Sequence, residues 1–146
     1  MNQSSLDALI ELATEKRDAA AIALGNLQSE YARNQSQLDA LVAYRAEYGE
    51  RLARAMADGL SMHQLDNDQR FLAALDGAVA QQERLVAAIR NRLADGKTRW
   101  QDRQRRLKSF DTLAKRRRAG EARQEARREQ RDNDEAAGRT SRRANG

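Results

Sequence analysis

The sequence predicts an all-α fold: a long two-helix antiparallel coiled-coil hairpin with a basic, partly disordered C-terminal tail. Three observations carry this. Ala, Leu, Glu, Lys and Arg supply 80 of the 146 residues, and Pro and Cys are absent. Leu, Ile, Val and Phe number only 24, too few for a globular core of this length and tolerable only if strictly periodic. They are periodic, along two stretches of equal length that flank one break.

The first stretch steps alternately by four and three from Leu6 through Ile10, Ala13, Arg17, Ala20, Leu24, Leu27, Tyr31, Asn34, Leu38, Leu41, Arg45, Tyr48 and Leu52 to Ala55. Only Arg17, Asn34 and Arg45 interrupt an apolar seam of period 3.5, the repeat of a left-handed coiled coil. A helix of this span is roughly 75–80 Å long. Ser4 is placed to cap it, with Asp7 at its positive end. Gly59 suits the left-handed conformation that stops a helix. Ser61, with Gln64 three residues on, fits a capping box for the next one.

The second seam runs Leu65, Asp68, Leu72, Leu75, Val79, Gln82, Val86, Ile89, Leu93, Gly96, Trp100, Arg103, Leu107, Phe110 and Ala114. A break this short between equal seams forces antiparallel neighbours. Charge agrees: residues 1–30 carry two basic and five acidic groups, whereas residues 90–118 carry twelve and three. The expected organisation is a first helix over 1–58, a turn over 59–64, a second helix over 65–118 and a basic helical extension over 119–146. From Asp132 onward, Asn133, Gly138, Thr140 and Ser141 suggest fraying into disorder. Arg17, Asn34, Arg45, Gln82 and Arg103 weaken the seam while fixing its register.

Several functions are excluded by composition. Without cysteine there is no disulfide framework, thiolate zinc site or Cys nucleophile. The longest apolar run, Ala19 to Leu24, is six residues where a membrane span needs about 20. The N-terminus lacks a basic region ahead of its apolar residues, so no signal peptide is expected and the chain reads as cytoplasmic. A two-helix hairpin encloses no substrate-sized pocket. His63, alone beside the turn, completes no triad or metal site. Glu11 with Glu15, and Asp66 with Asp68, read as solvated faces and helix-start charges. No enzyme activity, metal or cofactor is expected.

Two large side chains off the seam, Tyr44 and Phe71, carry the functional signal. Gln37, Leu41, Tyr44 and Tyr48 form one stripe, and Phe71, Leu75, Ala78 and Gln82 form another. Folding about residues 59–61 pairs positions that sum to roughly 120–123, which sets Tyr48 near Leu75 or Phe71 and Leu41 near Gln82 or Val79. The stripes then share one stretch near the turn, either as a partner site or as broadened local packing. Leu9, Leu12, Ile22 and Leu113 form a second off-seam set at the open end, with the same two readings. The basic run Lys115 to Arg118 invites a nucleic-acid reading, but the tail after residue 114 carries six acids and no aromatic residue to stack on bases.

The string Leu41-Val42-Ala43-Tyr44-Arg45-Ala46-Glu47-Tyr48, followed after the turn by Gln69-Arg70-Phe71-Leu72-Ala73-Ala74-Leu75, resembles the FliJ family of bacterial flagellar export proteins over residues of about 4–115. The resemblance implies a coiled-coil component, like the central stalk of a rotary ATPase, inserted in the hexameric export ATPase (FliI). It further implies contact with the export-gate membrane protein FlhA, handling of export chaperones, and a position at the inner face of the membrane at the flagellar base. It implies an export-gate-binding surface of Gln37, Leu41, Tyr44, Tyr48, Phe71, Leu75, Ala78 and Gln82. The ATPase-facing residues Leu9, Leu12, Leu113, Arg116 and Arg117 are assigned by position at the open end. Two alternatives stand beside this reading: the equivalent stalk of a virulence type III secretion system, and a basic coiled-coil scaffold or nucleic-acid binder.

Overall fold

In the computed structural model, which describes residues 2–145, two long helices pack against each other and no strand occurs among the described residues. Helix α1 is Gln3–Asp58 and helix α2 is Met62–Asn145. Residues 59–61 make the reversal. Gly59 adopts φ of 100°, a left-handed value that an L side chain rarely takes, and its amide donates to the Met56 carbonyl at 3.3 Å. The Ser61 hydroxyl accepts the Gln64 amide at 3.2 Å, which caps α2.

The first cap differs from the sequence expectation. Asn2, not Ser4, closes α1: its side-chain oxygen accepts the Ser5 amide at 2.7 Å and its carbonyl accepts the Leu6 amide at 3.1 Å. Leu6 is the reason. It is 1% exposed, and a helix begun at Asn2 fixes its backbone with a hydrogen bond that a Ser4 start would not provide.

Every position of both predicted seams is buried or half-buried. The buried core of the described residues lies wholly on them: Leu6, Ala13, Ala20 and Leu52 from α1, with Leu75, Val86, Ile89, Leu107 and Ala114 from α2. The chain forms two compact units. In one, the start of α1 up to Arg17 packs with α2 from Asp102 onward; the other is Asp18–Gln101.

Within the Asp18–Gln101 unit the antiparallel register is pinned by polar pairs. Arg45 Nε donates to Asp76 Oδ1 at 2.7 Å, Arg92 Nη1 to Glu30 Oε1 at 3.2 Å, and Arg90 Nη2 to the Tyr31 hydroxyl at 3.4 Å. These pairs sum to 121 or 122, inside the expected register. Gln82 departs from the expected neighbours. Its Nε2 donates to the Asn34 carbonyl at 3.0 Å and to Asn34 Oδ1 at 3.1 Å, while Asn34 Nδ2 donates to the Glu30 carbonyl at 2.8 Å. Gly96 allows a close approach, since a β-carbon there would stand 2.9 Å from Leu27 Cδ1.

In the other unit, Arg17 Nη1 meets Gln104 Oε1 at 3.5 Å. Beyond Arg118 no side chain is buried, yet α2 stays helical through Asn145 where the sequence suggested fraying from Asp132. Local pairs one turn apart line that stretch: Gln130 Nε2 with Asp134 at 3.1 Å and Arg139 with Glu135 at 3.5 Å. It contains no Pro, the residue that breaks a helix interior outright. No helix among the described residues is long and apolar enough to cross a membrane.

Candidate docking site on the aromatic cluster

Within the Asp18–Gln101 unit, close to the turn, α1 contributes Tyr44 and Tyr48 and α2 contributes Phe71. Helical spacing of four puts the two tyrosines on one face, and the antiparallel register brings Phe71 across to both. Ring centroids of Tyr48 and Phe71 are 4.7 Å apart at 54°. Tyr44 stands edge-on to Phe71 at 6.3 Å and 86°, and lies 6.3 Å from Tyr48. Such tilted arrangements set the positive ring edge against the negative face. Tyr44 and Phe71 remain 42% and 41% exposed, so the cluster is an accessible apolar patch.

Polar groups fix its geometry. The half-buried Tyr48 hydroxyl donates to Asp68 Oδ1 at 2.9 Å. That hydrogen bond, with burial and the carboxylate charge adding, pushes the Tyr48 phenol above its ordinary value. Asp68 is therefore no solvated helix-start charge, as its sequence context suggested. A carboxylate on a mainly apolar seam is held there by a tyrosine hydroxyl. Alongside, Asp76 accepts from Arg45; that hydrogen bond holds its carboxyl below the ordinary value by outweighing desolvation, with a lesser lowering from the guanidinium charge. Arg51 lies with its guanidinium carbon 5.6 Å from the Tyr48 ring centroid, within cation–π range.

The eight residues of the predicted surface separate by accessibility. Gln37, Tyr44 and Phe71 are exposed, Leu41, Tyr48, Ala78 and Gln82 half-buried, and Leu75 buried at 8% exposure. Leu75 belongs to the core beneath the patch. Gln82 is turned into the helix interface by Asn34. Arg51, Asp68 and the Arg45–Asp76 pair were missed in the sequence. A polar residue on an apolar seam opposite a tyrosine was the available signal for Asp68.

At the chain ends, Leu12 and Leu113 are 47% and 46% exposed, Arg116 is exposed, and Leu9 and Arg117 are half-buried. Leu113, Arg116 and Arg117 come together with Leu6 along a cleft of about 440 Å³. Leu9 and Leu12 do not line it. Arg117 also reaches Glu121 at 3.5 Å. No three His, Asp or Glu side chains converge to hold a metal among the described residues.

Comparisons with known proteins point one way. The family described as "FliJ: Flagellar FliJ protein" matches residues 2–146. A flagellar FliJ protein of Salmonella typhi is 28% identical over 137 residues, covering 94% of this chain and 93% of the relative. The flagellar FliJ protein of Escherichia coli (strain K12) is 27% identical over the same shares. No solved structure matches the chain.

Proposed function

This chain belongs to the flagellar FliJ protein family, and from that premise we propose that it is a non-enzymatic coiled-coil component of bacterial flagellar protein export. In this reading the end carrying both termini seats in the hexameric export ATPase (FliI). The turn-proximal patch docks on the export-gate membrane protein FlhA, so the protein works at the inner face of the membrane at the flagellar base. The observation that carries the reading is the exposed Tyr44–Phe71 cluster within the stripes that the family resemblance marked as gate-binding.

The physical rationale is asymmetry. A pair of helices inside a six-fold ring cannot make six equal contacts. It favours one conformation at a subset of subunits, and so promotes ring assembly or turnover. The cationic, apolar cleft of Leu6, Leu113, Arg116 and Arg117 offers a contact surface for this. Helices that also carry a gate-binding patch link the two partners through one chain. Export chaperones are further partners of this reading; it involves no small-molecule substrate and no nucleic acid.

The test is the hydrolysis rate and ring assembly of the cognate export ATPase with and without this protein, alongside deletions of residues 1–12 or 110–146. Stimulation that disappears on deletion supports the reading. No effect at any stoichiometry, with helix content intact by circular dichroism, overturns it.

A further inference from the structure

Arg51 continues the α1 stripe. The positions Gln37, Leu41, Tyr44, Tyr48 and Arg51 step by four, three, four and three, so the guanidinium falls on the same helix face as the tyrosines, one step closer to the turn. It is exposed and held over the Tyr48 ring at 5.6 Å, and Tyr48 is itself tethered by Asp68 at 2.9 Å. The neighbouring charges are engaged with one another. Arg45 pairs with Asp76 at 2.7 Å, Arg70 with Asp66 at 3.1 Å, and Asp68 receives the tyrosine hydroxyl. Glu47, one turn before Arg51, and Glu50, next to it in sequence, form no ion pair with its guanidinium, which is turned to the ring instead. Arg51 has no carboxylate within ion-pair distance among the described residues and rests on the Tyr48 ring, so its guanidinium stands exposed at the rim of the patch.

We infer that Arg51 is a specificity-determining member of this docking surface, and that the partner face seated there is an apolar knob bearing a carboxylate. The apolar part packs on Tyr44 and Phe71, and the carboxylate meets the Arg51 guanidinium. This rests on the gate-docking reading above. The ring beneath the guanidinium limits its rotamers, so less freedom is lost when the carboxylate arrives than for an unsupported arginine. A rim charge of this kind acts mainly on the rate of encounter, whereas the aromatic contacts govern how long the complex lasts.

The experiment measures association and dissociation of the full chain with detergent-solubilised export-gate protein at low and moderate salt. It compares wild type, Arg51→Lys, Arg51→Gln, Arg51→Glu and the Tyr44→Ala/Phe71→Ala double variant. Arg51→Glu is expected to slow association about tenfold at low salt and flatten its salt dependence, with dissociation changed less than about twofold. Arg51→Lys keeps most of the rate. Arg51→Gln, which keeps a stem over the ring and removes the charge, slows association about threefold and decides the matter if Arg51→Glu loses helix. Association of Arg51→Gln within experimental error of wild type, with an unchanged salt slope, overturns the inference. If the double variant has lost binding in that case, the docking reading stands without Arg51; if it binds as wild type does, the docking reading itself fails.

Discussion

Ile22 and Ile89 offer one chemical perturbation in two environments. Ile89 is 1% exposed on the α2 seam; Ile22 is 67% exposed on α1; both lie in the Asp18–Gln101 unit. Truncation to Ala removes about three methylene-sized groups, worth ~0.8 kcal/mol each when fully buried. Ile89→Ala therefore forfeits about 2.4 kcal/mol of burial, and a residual cavity adds to this. A two-helix core open on its flanks lets neighbours relax, which keeps the cavity part small. Replacing a β-branched residue in a helix by Ala returns about 0.4 kcal/mol. The expected net loss is about 2–3 kcal/mol. At Ile22 about a third of the burial is at stake, so the net change is about 0–0.5 kcal/mol. Urea unfolding followed by far-ultraviolet circular dichroism measures both, and unchanged slopes confirm that only stability moved. Equal losses at the two positions, or a loss at Ile89 below about 0.5 kcal/mol in a cooperative transition, would refute the two-seam core.

Three further outcomes follow from the polar contacts. Asn34→Leu removes one of the two oxygens that accept from Gln82 and leaves the backbone carbonyl, so it should cost about 0.5–1 kcal/mol, whereas Asn34→Leu/Gln82→Leu should recover that loss; a double-mutant cycle by denaturation reads the coupling. Because Arg45 holds Asp76 below its ordinary 3.8, the pair's contribution is present above that value and is lost as pH falls through the depressed folded value. The stability gap between wild type and Asp76→Asn should therefore close on acidification below about pH 4, and be smaller in high salt throughout. The raised Tyr48 phenol runs the other way: its contribution is full below 10.0 and is lost as pH rises through the folded value. In an ultraviolet titration the raised Tyr48 transition should vanish in Tyr48→Phe and shift down in Asp68→Asn.

The helical class, the reversal at Gly59 and both seams were legible in the residue order. They depend on a 3.5-residue period and on local chemistry: a glycine free to take positive φ, a serine three residues before an exposed amide. A polar first turn is less decisive. Asn2 and Ser4 are both good caps by type, and only the burial of Leu6 selects between them. Register was legible to within a few positions, since equal seams about a short turn leave little choice.

What the sequence alone determined is therefore periodicity: which face of each helix goes inward, and that Tyr44 and Phe71 stand off it. What the tertiary structure decided is how side chains reach along the helices once paired. Gln82 slants to Asn34 rather than toward Leu41, and Asp68 reaches the Tyr48 hydroxyl from a mainly apolar seam. Leu75 sinks beneath the patch, while Arg51 settles over a tyrosine ring. Long polar side chains span more than one turn, so their partners follow from three-dimensional distances rather than from the heptad that places their Cα atoms.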